Sequence, residues 1–291
     1  MLSEGYFPRG RSVLREVHEQ RAVGLLYGQR ALAIGACNPL NYVGTAEHTH
    51  SRLTPFRRLA HTGKWFEQVY FGSRPEADRV LASVAQMHDR VHGELPHDAG
   101  PHAPAGTPYS AWDPPLMLWT IAVAADSALH FYELLVRTLS AREREAFWQD
   151  YLLFGELFGL PRSAAPGSYG EFREYWHARL SSPELHLTKA ARQMGHAVAF
   201  EIPMPAQMQL AKRLHDLLIL GSMPARVREL YGLDWFSAHR AAHGAAVRTV
   251  RAARPLTPGV LACGGNARFF ELVERTERSR IERGVPTPQI A

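Results

Sequence analysis

The chain has 291 residues, 46% of them hydrophobic and 21% charged. That balance excludes disorder by composition and supplies apolar surface for one large core or two tightly packed ones. The net charge of +5 and pI near 9.4 come from arginines spread along the chain, with no Lys/Arg-rich run, so nothing points to nucleic acid. Two cysteines, Cys37 and Cys263, are too few for a disulfide framework or a paired-cysteine metal knuckle, and fit a reducing compartment. The opening "MLSEGYFPRGRSVLREVHEQ" lacks an apolar run after a basic start. No signal peptide is therefore expected, and a cytoplasmic location is.

Helix signals then follow one another. A helical pattern begins at Ser12 and runs through Val17, Leu25 and Ile34 to a break at Asn38-Pro39. A short helix from Leu40 to about His48 comes next. Thr54-Pro55 supplies a cap and a proline at the first helical position, and that helix ends near Gly72. Ser73 and Glu76 form a capping box for a helix that reaches about His92. Leu95–Pro108, rich in Pro, Gly, His and Ala, reads as a loop of functional length. Asp113-Pro114 opens an apolar helix ending near Thr138. Asp126, His130 and Glu133 lie inside it, which makes it a buried helix rather than a membrane span. Ser140/Glu143 and Ser168/Glu171 are two more capping boxes, and Ser182-Pro183 starts a further helix. Gln207–Leu220, Pro224–Tyr231 and Asp234–Ala253 are helical in pattern. Period-two alternation, a phosphate loop and internal repeats are all missing. The expectation is an all-α fold, one domain over 1–291, with roughly ten helices.

Chemistry concentrates on the two helices joined at Gly72-Ser73, whose tight turn makes them antiparallel neighbours. On the first, "FRRLAHTGKWFEQVYFG", Arg58, His61 and Thr62 stand at i, i+3 and i+4 and share a face. On the second, Val80, Leu81, Val84, Met87 and Val91 define an apolar stripe, with His88 upon it. A buried neutral histidine needs a partner for its ring nitrogens or is a metal ligand. Taken with the first helix, it matches the demands of haem b: one axial nitrogen, anion-holding groups for two propionates, and an apolar slot lined by Trp65, Phe66, Met87 and the 116–136 helix. Spacing alone equally allows a core histidine beside a solvated Arg58/Thr62 patch. Asp126 reads as a buried, hydrogen-bonded acid or as the partner of a ligand. "HTH" at 48–50 and "HGELPH" at 92–97 lack zinc-protease spacing, and no nucleophile elbow is present.

The order of motifs resembles the MpaB-type oxygenase family and, more distantly, latex-clearing protein, the rubber oxygenase. "LLYGQRALAIGACNPLNYVGTAEHT" (25–49), "RRLAHT" (57–62), "VYFGSRPEADRV" (69–80), "MHDRVHGEL" (87–95), "YSAWDPPLMLWTIAVAADS" (109–127) and "GLDW" (232–235) carry it, across nearly the whole chain. The resemblance implies an all-helical haem b protein that uses dioxygen on a small apolar, isoprenoid- or lipid-like substrate. It assigns Arg58 and Thr62 to the haem and its propionates, and His88 to iron. His61 stands where latex-clearing proteins have an iron-capping lysine, which makes it a sixth ligand, gate or proton shuttle. Those proteins also use an acidic residue upstream, for which Glu47 is the nearest candidate. The arginines that flank their iron-binding histidine are replaced here by Ala85 and His92. The alternative is a haem-binding sensor or carrier without turnover.

Overall fold

Side-chain caps start helices at Ser12, Asn38, Thr54, Ser73, Ser140, Ser168 and Thr188 in the computed structural model, which describes residues 4–48 and 54–288. The first helical pattern is split in three: α1 (Val13–His18), α2 (Arg21–Gly24) and α3 (Tyr27–Gly35). The Ser12 hydroxyl accepts from the amide of Arg15 at the start of α1, and the chain opens at Gln20, which forms an isolated bridge with Cys263. Asn38 caps α4 (Pro39–Glu47), accepting from the amides of Leu40 and Asn41. Thr54 caps α5 (Pro55–Phe71), and the Ser73–Glu76 box caps α6 (Arg74–His88). Thus α6 stops at His88, short of the expected His92. The chain turns there into a two-stranded antiparallel ribbon, β1 (His92–Glu94) with β2 (Pro108–Ser110), which the pattern did not foretell. The loop the ribbon closes is self-packed. Leu95, Ala99 and Ala103 join Tyr109 and Leu116 in a small core, and Asp98 accepts from the amide of Ala105.

The long α7 (Pro114–Leu135) is buried on nearly every side and forms the centre. It packs against α2, α3 and α8 (Ala141–Leu157), whose capping box is formed as expected. Ser168 caps α9 (Tyr169–Ser181), but the Glu171 carboxylate accepts from Gly167 rather than completing a box. No helix starts at Ser182-Pro183. Ser182 ends α9, and α10 (Lys189–Phe200) is capped by Thr188. Then come α11 (Gln209–Ser222), α12 (Ala225–Tyr231), α13 (Ser237–Ala253), α14 (Gly259–Ala262) and α15 (Ala267–Glu282). The fold is all-α apart from the ribbon. Among the described residues no helix is long and apolar enough to cross a membrane. Both cysteines are free thiols.

The core holds two kinds of buried polar group. Asp126 of α7 pairs with Arg30 of α3 at 2.8 Å and with Arg173 of α9 at 2.7 Å, so it is the hydrogen-bonded acid of the two readings. His18 is fully packed, stacked on Tyr70 with centroids 4.2 Å apart and bonded to the Tyr151 hydroxyl at 2.7 Å. Burial pushes its pKa down to about 3. His130 is pushed down to about 4, by burial first and then by the charge of Arg30. Both rings are therefore neutral when folded, while the unfolded chain protonates them below its ordinary value near 6.5. The unfolded state binds more protons in that window, so stability falls as pH drops. The slope approaches about 1.4 kcal/mol per pH unit for each ring between roughly pH 6 and pH 4. Urea midpoints at pH 7 and pH 5 check this, and equal values would show that the rings are not held neutral.

Candidate functional site

Helix α5 carries two stripes. Arg58, Thr62, Trp65 and Val69 recur at i, i+4, i+7 and i+11 along one of them. Trp65 and Val69 reach the main core from it, and Arg58 and Thr62 are half-buried. Burial pulls the pKa of Arg58 below the ordinary guanidinium value, an environment in which an anionic partner gains strength. His61 and Lys64 belong to the neighbouring stripe, which meets α15. His61 Nε2 lies 3.6 Å from Glu274 Oε1, and Lys64 Nζ lies 3.0 Å from Glu274 Oε2. So Arg58, Thr62 and Trp65 lie along one stripe, and His61 turns toward the C-terminal helix with its ring 6.5 Å from that of Trp65.

His88 is the last residue of α6, which packs on α5 as the tight turn demands. The buried stripe of α6 is Ala77, Val80 and Val84, and His88 continues it by one turn. The ring is half-buried and stands edge-on to Trp112 with centroids 5.2 Å apart. Its Nδ1 is buried and has no hydrogen-bond partner among the described residues. Burial lowers its pKa, against the opposing charge of Asp89, so the neutral, ligand-competent imidazole is favoured. An unpartnered buried ring nitrogen is costly, and His130, His215 and His243 each carry one as well, so what distinguishes His88 is its place on the helix packed against α5.

Two expected site residues stand elsewhere. Met87 is 41% exposed and does not line a slot, because it sits about 100° round the helix from His88, off the buried stripe. Glu47 is exposed at the end of α4, near Tyr109 of β2, whose hydroxyl pKa is raised by burial and by the charge of Glu47. His92 is exposed on β1.

The C-terminal helix, which the sequence pattern did not announce, makes several polar contacts to α5. Phe270 packs on Gly63, where an added Cβ would lie 2.4 Å from the ring. Val273 joins Phe56, Leu59 and Ile202 in a small core, and the buried Glu277 carboxylate accepts from the Thr54 hydroxyl. Glu67 of α5 accepts from the amide of Asn266 at 2.6 Å. Its own pKa is raised by burial, with the Asn266 bonds opposing. A crevice of about 190 Å³ opens between α5 and α15, lined by Arg57, His61, Glu274, Glu277 and Ile281. It is smaller than the roughly 300 Å³ of ordinary ligand pockets, and its carboxylates would repel propionates. The crevice is therefore not a porphyrin slot.

The chain belongs to the family described as ER-bound oxygenase mpaB/B′/rubber oxygenase, catalytic domain, whose model matches residues 15–252. The match takes in α5, α6 and α7 and ends before α14 and α15. Membership supports an oxygenase role for the chain. Two similar proteins, one of Mycobacterium bovis and one of Mycobacterium tuberculosis, are both described only as uncharacterized. Each is 23% identical over 186 residues, covering 64% of this chain and 69% of the relative. No solved structure matches the chain.

Proposed function

We propose that the protein is a haem b-dependent oxygenase acting with dioxygen on a small apolar, isoprenoid- or lipid-like substrate. The observation that carries this reading is the buried, unpartnered Nδ1 of His88 in a chain of the oxygenase family. A haem brings its own ring nitrogens and would need a nitrogen donor from the protein. His88 is that donor in this reading. Arg58 and Thr62, one helical turn apart on the adjacent helix, hold the propionates by charge and by hydroxyl hydrogen bonding. Trp65 and Phe66, both packed against the main core, keep water from the apolar side. When bound, the haem supplies the dioxygen chemistry that these side chains lack. His61, on the neighbouring stripe and beside Trp65, would be the second candidate donor.

The test is an absorption spectrum of protein produced with adequate haem supply, as isolated and after dithionite. About one haem b per chain is expected, since among the described residues His88 is the one of the four histidines with a buried, unpartnered ring nitrogen that stands on the helix packed against the Arg58/Thr62 helix by the tight Gly72-Ser73 turn. A colourless protein that also fails to take up hemin overturns the reading. Haem binding with no oxygen consumption across a panel of lipids and terpenoids would leave a sensor or carrier instead.

A further inference from the structure

We propose that Glu274 is a positioning residue for His61: the C-terminal helix, outside the span matched to the oxygenase family, holds the imidazole against its carboxylate, beside the Trp65 ring and turned from Arg58 and Thr62. Three observations converge on it. The first is docking. Phe270 lies at Gly63, Glu274 at His61 and Glu277 at Thr54, so α15 runs antiparallel to α5 in a fixed register. The absent Cβ of Gly63 permits the close approach, and buried Val273 and Glu277 lock it.

The second is polar accounting. Glu274 Oε2 is taken by Lys64 at 3.0 Å, while Oε1 is buried with no hydrogen-bond partner. His61 Nε2, at 3.6 Å, is just beyond hydrogen-bond range of that oxygen. A buried carboxylate oxygen left unpaired costs free energy, so closing the gap by a few tenths of an ångström is favoured. The third is the helix wheel. His61 lies about 60° from Arg58 and about 100° from Thr62, with its ring 6.5 Å from that of Trp65, so its rotamer decides whether it turns to Arg58 and Thr62 or to α15. Glu274 selects the second.

The consequence for iron rests on the haem reading: His61 becomes a sixth donor only when Glu274 releases it. The positioning itself does not rest on that reading, so the test has two arms on the full chain. In cofactor-free protein, acylation of His61 by diethyl pyrocarbonate is followed by peptide mass spectrometry. Glu274→Ala should quicken it by about fivefold, the upper range for loss of one partly exposed charged contact. Glu274→Gln, which keeps an oxygen in place, should stay near the parent rate. In hemin-loaded protein, Glu274→Ala should move the ferric spectrum toward low-spin, and adding His61→Ala should restore the parent spectrum. Unchanged acylation of His61 in Glu274→Ala overturns the positioning role whether or not haem binds. A protein that binds no hemin but shows the acylation change removes the haem reading and keeps the positioning.

Discussion

Replacing His88 with alanine should abolish haem retention and leave the helical fold intact. Two terms separate here. The imidazole is the axial donor of the proposed site, and loss of a partner to such a donor already weakens affinity by about 10–100-fold; loss of the donor itself should exceed that. The structural term is small and of opposite sign. His88 ends α6, is half-buried, and makes its ring contact with Trp112. Its Nδ1 is buried without a partner, and removing an unsatisfied group relieves a penalty of about 1–3 kcal/mol. The cofactor-free variant should therefore melt at or above the parent temperature, whereas a core histidine bonded to a carbonyl would lose stability on truncation. His92, exposed on β1, serves as the control and should keep its haem when changed to alanine. Hemin titration and thermal melts of both variants check this. Haem lost from His92→Ala and kept by His88→Ala would move the ligand to the ribbon.

The same residues show how far a sequence carries. Capping signals were legible because they are local chemistry: Thr54-Pro55, the Ser73–Glu76 box and the Ser140–Glu143 box all start helices where they stand. The apolar run of α7 was legible because burial on all sides leaves no polar stripe. The N-terminal pattern reads as one helix because its apolar spacing continues across Glu19-Gln20, which has no Pro or Gly, and past Gly24, the glycine that ends α2. Helix α15 lies beyond the last helix read from the pattern, which ends at Ala253. Glu277 and much of Glu274 are in fact buried against α5, and only the tertiary partner makes that possible. Phe270 and Val273, with Glu274 and Glu277 at the same helical spacing, were the available signal. At the site, spacing put Arg58, His61 and Thr62 on one face. It did not show that the face is divided between two neighbours, and it counted Met87 into a stripe that narrows by the last turn of α6.

The second large effect lies away from the site. Asp126→Ala should cost about 3–5 kcal/mol, a substantial part of the roughly 5–15 kcal/mol that separates a folded domain from its unfolded chain. Arg30 is 2% exposed, and its guanidinium reaches Asp126 at 2.8 Å, the Ser127 hydroxyl at 2.8 Å and the Ser222 carbonyl at 3.0 Å. Burial alone lowers the pKa of Arg30, and the Asp126 carboxylate is the main group that raises it again. Deleting the carboxylate leaves a buried cation with only neutral acceptors, and that desolvation is no longer offset. Arg173 shares Asp126 from the rim, a third exposed, so Arg173→Ala should cost about 1 kcal/mol or less. Changing both Arg30 and Asp126 to apolar residues of similar size should recover most of the loss, since no buried charge is left unpaired. Urea midpoints of the three variants measure this ordering. An Asp126→Ala variant within about 1 kcal/mol of the parent would mean that Arg30 finds water or another anion, and that α3, α7 and α9 are not joined through this carboxylate.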